Sequence, residues 1–494
     1  MSASREKKER RGQTNTPAET KAEEKKGMSR GLKTFLGIVC AVVVVAVVVF
    51  FSMVTSGFFE AHTTAATVGG HKITPAMVNY FYKDAYSQMS SFLSYMIDPQ
   101  TPLDEQIYDE ETGETWADML VDTGLQNACS TYAIYDEALK NGYTLSAEDE
   151  AEIESALSMY DTYAASYGYS NADQFLSAYF GKGCSKKSFT EYSRIITIAG
   201  NYSTQISEGF TYDDAAVAAE YAANPNDYEA VDYRVYTFYS SDEDDEEPLT
   251  DEELKAKADE MAEQSRNNEP AFLDACINNS DETLKASYED ESFSLRSGVN
   301  YSDCHTELAD WLFDAERAEG DTTVAACSSG YYVAYFISRS DNGYQLPNVR
   351  HILSSVAEDA TDEEKQDAFS VVEAAMAEFE NGDKTEESFG ELAKQYSEDG
   401  SASEGGLIEN IKPGEMVTEF NDWVFDENRQ VGDTDIIETQ YGYHGMYFCG
   451  YGDIYRDVLI RDALHEADYN AWYSSLSSLY TFEKNDFGMK YITK

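Results

Sequence analysis

Three residues stand out for the chemistry they could share: His351 in "NVRHILSSV", Asp399 in "YSEDGSASEGG" and His444 in "QYGYHGMYF". Two imidazoles and a carboxylate can build a hydrogen-bonded network that shapes the floor of a pocket and tunes its polarity. Met416 and Phe420, four apart in "KPGEMVTEFNDWVF", predict an apolar wall on one face of a helix. No Ser or Cys is partnered with them, so the set does not point to covalent nucleophilic catalysis. Metal chemistry is not expected either, because His62, His71, His305, His351, His444 and His465 are scattered and no CxxC occurs. No cofactor is expected.

For the two histidines to meet, the elements that carry them must be neighbours. His351 lies in an alternating strand and His444 opens another, "HGMYFCGY". If those strands pair in one sheet, the period of two places both imidazoles on the same side. The surrounding chain is duplicated. "DWLFDAERAEGDTTVAACSSGYYVAYF" from Asp310 returns as "DWVFDENRQVGDTDIIETQYGYHGMYF" from Asp422, without a gap and with 12 of 27 positions identical. Such self-similarity predicts two copies of one α/β domain, over 228–343 and 344–453. Copy one has Val235 in the place of His351 and Tyr332 in the place of His444. It is therefore expected to be catalytically silent and kept for binding or spacing, with its acidic insert "SSDEDDEEPLTDEE" a solvated loop.

The remaining chain reads differently. Residues 1–30 are charged and aperiodic, as a disordered cytoplasmic tail is. Over 31–54 the run "LGIVCAVVVVAVVVFFSMV" is long and apolar enough to cross a membrane as a helix. Basic residues precede it, which places the N-terminus in the cytoplasm and the bulk of the chain outside a cell membrane crossed once. A cleaved signal peptide usually has a shorter apolar region, about 7 to 15 residues, so an uncleaved anchor is favoured. Cys40 is read as a membrane-embedded thiol. The six cysteines beyond it permit disulfides but are too few for a disulfide scaffold, and their connectivity stays open.

From 55 to 227 the pattern is helical after a short strand, a Gly-Gly turn and Thr74-Pro75 as a helix start. Residues 454–494 predict a C-terminal helix docking on that helical domain. With 92 acidic residues against 36 basic ones, the net charge of −56 leaves no surface for neutralising phosphates, so nucleic acid is excluded as a partner. A content of 42% hydrophobic and 13% aromatic residues is more than a disordered chain carries.

Taken together, "VRHIL", "FGELAKQYSED", Gly405-Gly406, "PGEMVTEF" and "VGDTDIIETQYGYHGMYF" resemble the parvulin-type (PpiC, rotamase) peptidyl-prolyl isomerases over almost all of 348–450. The resemblance implies an α+β fold, a four-stranded antiparallel sheet surrounded by helices. It implies that His351 and His444 are the paired histidines and Asp399 the acidic position. Thr439 then bonds to the pair, and Met416, Phe420 and Ile408 form the proline pocket. One departure is that Gly405-Gly406-Leu407-Ile408-Glu409 stands where the family usually has Gly-Gly-Asp-Leu-Gly. Phospho-specific members share a basic cluster after the first strand, whereas "SSVAEDATDEEKQ" is acidic, so a phosphoserine-directed substrate is not expected.

The opening "ATVGGHKITPAMVNYFY" resembles SurA-like and PrsA-like foldases, in which a helical chaperone domain and the last helix flank parvulin domains. The implied function is isomerisation of X-Pro bonds in unfolded exported polypeptides held in apolar grooves. The alternatives are a non-catalytic holdase, in which both copies only bind clients, and a surface protein that uses the same modules as spacers.

Overall fold

A computed structural model describes residues 30–240 and 249–493, with side chains from residue 38. The expected tail over 1–30, apart from its last residue, lies outside the described residues, as does 241–248 of the acidic insert. The described chain forms two compact units, one reaching Thr204 and resuming at Tyr473, the other running from Gln205 to Trp472.

In the first unit, helix Arg30–Thr55 contains the apolar span Ile38–Thr55. Its length and composition suit a membrane crossing. Strands Ala66–Val68 and His71–Ile73 form a hairpin around Gly69 and Gly70, both at positive φ. Thr74 then caps helix Pro75–Gln88 through the Met77 N–H. Tyr80, Phe81, Leu120, Leu125 and Leu176 lie at the core of this unit. The expected terminal helix over 454–494 is corrected in one respect. Helix Tyr455–Ser477 stops, and Phe482–Lys484 pairs antiparallel with Ala66–Val68. Three extended residues are too few for alternation to reveal them. Residues from Gln205 to 227 belong with the second compact unit. There, Val217 and Tyr228 pack with Ile460 from the first half of that terminal helix.

The second unit holds two four-stranded antiparallel sheets built to one plan. In copy two the order is Leu407–Ile408, Gln345–Ser355, Gly442–Ile454, Thr434–Thr439. In copy one it is Leu295–Asn300, Ala230–Tyr239, Gly330–Ser340, Thr322–Cys327. In each sheet one short strand pairs with the outer side of the first long strand and the other with the outer side of the second.

The sheet of copy two is covered on both faces. Helices Asp362–Asn381 and Glu386–Tyr396 bury Val372, Met376, Phe379 and Phe389 against Ile352 and Tyr447. The longer helix starts in a capping box, with Thr361 and Glu364 bonding each other's backbone N–H groups. Gly445 admits that helix at close range, since a Cβ there would stand 2.8 Å from the Met376 sulfur. On the other face, helix Thr418–Val424 lays Phe420, Trp423 and Val424 on Val349, Met446 and Phe448. Residues 349, 351 and 353 alternate onto this second face with 444, 446 and 448. The histidines therefore enter from the sheet between apolar neighbours of the same strands.

All seven cysteines are free thiols. Cys129, Cys184, Cys276 and Cys304 are buried.

Candidate functional site

His351 and His444 sit diagonally on the two central strands, His351 across from Met446 and His444 across from Leu353. The strand of His444 begins at Gly442, two residues before it rather than at it. Diagonal partners on one face are within reach of long or aromatic side chains. The rings lie nearly parallel, with centroids 5.4 Å apart and planes at 15°, and their Nδ1 atoms are 3.1 Å apart. Phe420 stands edge-on to both, at 5.5 and 5.6 Å. Only 3% of His351 and 5% of His444 reach solvent, so their polar atoms need partners inside the protein.

Those partners form a chain. The Thr439 hydroxyl lies 2.9 Å from His444 Nε2 and accepts the Tyr441 N–H at 3.1 Å, leaving its own proton for the imidazole. With Nε2 accepting, His444 carries its proton on Nδ1 and donates it to His351 Nδ1. His351 then carries its proton on Nε2, 3.2 Å from Asp399 Oδ1 and 3.3 Å from Ser401 Oγ. Ser401 donates both its hydroxyl, at 2.5 Å, and its N–H, at 2.8 Å, to Asp399 Oδ1.

Burial, reinforced by His351 and partly opposed by Asp399, pushes the His444 pKa down to about 4. That imidazole is neutral at pH 7. The hydrogen bond from His351 holds the Asp399 carboxyl far below its ordinary range, helped by the hydroxyl and amide of Ser401. One end of the chain is thus anionic and the other a neutral hydroxyl.

The loop beside Asp399 is shaped by two glycines. Gly405 and Gly406 adopt φ of 72° and 68°, the left-handed region. A Cβ on Gly406 would fall 2.1 Å from the His351 carbonyl oxygen. This closeness lets the Gly406 carbonyl accept the His351 N–H at 2.9 Å. Arg350 ties the same turn down, donating to the carbonyls of Glu404 and Gly405 at 2.9 and 3.0 Å and pairing with Glu386 at 3.0 Å. Leu407 and Ile408 then pair with Arg350 and Val349. The departure from Gly-Gly-Asp-Leu-Gly begins after both glycines, and the turn forms regardless.

A cavity of about 560 Å³ opens above the two rings, lined by His351, His444, Asp399, Ile408, Met416 and Phe420. Thr439 stands behind His444 rather than in the lining. The expected helical spacing of Met416 and Phe420 is corrected. The helix begins at Thr418, after the Pro413-Gly414 turn, so Met416 reaches the cavity from the segment before it. Leu353, Val356 and Tyr441 also line the cavity, and Ser401 joins the network, none of them singled out by sequence reasoning. Leu353 was within reach of it, two residues from His351 on the same face. Asp399-Gly-Ser401 carries the signature of a side chain capping its own loop.

The antiparallel sheet, the paired buried histidines and the apolar wall define a parvulin-type rotamase domain. In agreement, residues 351–448 match the family described as "Rotamase: PPIC-type PPIASE domain". Over 60 residues the chain is 48% identical to "Foldase protein PrsA" of a Geobacillus species, covering 12% of this chain and 21% of that protein. It is 37% identical over 98 residues to "Chaperone SurA" of Burkholderia lata, covering 20% of each. The chain thus spans about a fifth to a third of the length of the curated relatives it matches. Among solved structures, that of PrsA from Bacillus subtilis aligns at 15% identity and a TM-score of 0.30, over 76% of this chain and 91% of the other.

Proposed function

We propose that the protein is a membrane-anchored peptidyl-prolyl cis-trans isomerase that also holds unfolded exported polypeptides as a chaperone. The observation that carries this reading is the 3.1 Å contact between two buried histidines at the floor of an apolar cavity. An X-Pro bond rotates over a barrier of about 18–20 kcal/mol without any bond being broken. A catalyst has only to bind the twisted amide more tightly than either planar form.

Met416, Phe420 and Ile408 grip the pyrrolidine in this reading. His351, His444, Asp399 and Thr439 form a fixed polar floor whose dipoles need no reorganisation as the amide twists. A neutral His444 suits that role, because rotation transfers no proton.

Helix Arg30–Thr55 is the anchor, and the basic residues before the apolar span orient the N-terminus to the cytoplasm. Residues 55–227 act as the helical chaperone domain. Copy one, over 228–343, binds or spaces clients without catalysis.

The test is the isomerisation of a proline-containing peptide by the full chain in detergent. Acceleration above the uncatalysed rate is expected, together with faster refolding of a client limited by prolyl isomerisation. If the peptide rotates no faster than in buffer while aggregation of a denatured client is suppressed, the protein is a holdase only.

A further inference from the structure

The rim of the copy-two cavity carries charge of one sign. Asp399 and Glu415 line it, and none of its twelve lining residues is Lys or Arg. Glu398 is tethered to another lining residue, its Oε2 accepting the Ser355 N–H at 2.7 Å and the Ser355 hydroxyl at 2.6 Å. Both of these bonds favour the ionised carboxylate. The chain leaving Val356 runs directly into Glu358 and Asp359, both exposed.

Two cations of the same domain, Lys412 and Arg350, are engaged in other contacts. Lys412 donates its backbone N–H to Glu415 Oε2 at 2.9 Å, but its ammonium is paired with Asp462 at 2.6 Å. Arg350 is spent on the Gly405 turn and Glu386. A cleft with carboxylates at its mouth and low-dielectric walls focuses their field on whatever enters it.

Once a proline ring is seated among Met416, Phe420 and Ile408, the preceding residue has its Cα one peptide unit, about 3.8 Å, from that of the proline. Its side chain must therefore pass the rim. Resting on the isomerase reading above, we propose that this rim makes the site selective for a cationic residue before the proline, Lys-Pro and Arg-Pro over Glu-Pro. Glu415 is the lining residue that sets the preference, with Glu398, Glu358 and Asp359 adding to it. The clients so favoured are basic segments, complementary to a chain of net charge −56.

The experiment compares peptides identical except for Lys, Arg, Leu or Glu before the proline, assayed with the full chain in detergent at low and high ionic strength. Binding of the same four peptides is measured in parallel. The Lys and Arg peptides are expected to exceed the Glu peptide in kcat/KM by roughly three- to tenfold at low salt, as charge pairs at partly exposed rims do. The ratio shrinks as salt rises. Glu415→Lys is expected to narrow or invert it, and Glu398→Gln to narrow it less. Equal kcat/KM for Lys and Glu peptides, with the Leu peptide turned over, overturns the selectivity while leaving the isomerase intact. If no peptide is turned over, the isomerase reading fails, and the binding ratio alone then decides the selectivity, equal affinities overturning it. If the variants do not fold, the wild-type ratio and its salt dependence still decide.

Discussion

The two sheets of the second unit share a scaffold and differ in what stands on it. Val235 pairs with Ala334 and Thr237 with Tyr332 in copy one, as His351 pairs with Met446 and Leu353 with His444 in copy two. Arg234 pairs with Glu269, the first residue of a helix, as Arg350 does with Glu386. The Val235 N–H donates to the Ser294 carbonyl as the His351 N–H does to that of Gly406, both at 2.9 Å. Arg317 lies 4.2 Å from the Trp311 ring and Arg429 4.0 Å from that of Trp423.

The pocket, by contrast, is replaced throughout. At the repeat offset of 112, Cys304 stands for Met416, Leu308 for Phe420, Cys327 for Thr439 and Arg296 for Ile408. His305 stacks on Tyr332 at 4.5 Å, placing an imidazole against the ring that took the place of His444. The Arg–carboxylate and Arg–Trp pairs beside the turn and the helix are common to both copies, whereas the pocket residues are not.

The largest effect expected is at Phe420, which is both a core residue and a pocket wall. Phe420→Ala should cost about 3–5 kcal/mol in denaturant unfolding of copy two and abolish turnover. Its counterpart Leu308→Ala should cost about 2–5 kcal/mol in copy one and leave isomerisation intact wherever the protein remains folded. Loss of turnover with Leu308→Ala would mean that the copies do not function separately.

A smaller effect is expected at the turn. Gly406→Ala must either leave the left-handed region or displace the His351 carbonyl, and should cost roughly 1–3 kcal/mol with reduced turnover. Ser294→Gly in copy one removes a hydroxyl bonded to Arg234 at 3.1 Å, worth about 1 kcal/mol, and should not affect turnover.

Acid separates the copies by activity. The His444 pKa is lowered to about 4, so between its unfolded value near 6.5 and pH 4 the unfolded chain binds more protons than the folded one. Stability from this group is complete above about pH 6.5 and is lost as the pH falls toward 4. Turnover should stay level from pH 7 to about pH 5 and fall around pH 4, where His444 charges in the folded protein, whereas a fall with its midpoint near 6.5 would contradict a neutral His444. Burial also lowers the His305 pKa in copy one, so acid destabilises both copies and only turnover distinguishes them. The smallest effects are at the Arg–Trp stacks, where Arg317→Lys and Arg429→Lys should each cost about 0.5–1 kcal/mol, equally in the two copies.

Much of this was legible in the sequence because the repeat aligns without a gap and strand alternation is rigid. Once their two strands pair, period two puts His351 and His444 on one face, and Thr74-Pro75 could be read as a helix start from its capping chemistry. Helical spacing misled at Met416, because a Pro-Gly turn delays the helix to Thr418 while still delivering the side chain to the cavity. Strand Phe482–Lys484 escaped because three residues carry no period and their partner lies more than 400 positions away. Ser401 escaped because a loop serine bridging a carboxylate and an imidazole gains its meaning only from the fold.

The central claim is that copy two alone catalyses, through its histidine floor. The most direct test is kcat/KM for a proline peptide with the full chain, comparing His351→Ala/His444→Ala with Val235→Ala/Tyr332→Phe. The histidine variant should lose about two orders of magnitude, the range that positioned active-site hydrogen bonds supply, and the copy-one variant should match wild type. Wild-type turnover in the histidine variant, or its loss in the copy-one variant, would contradict the account.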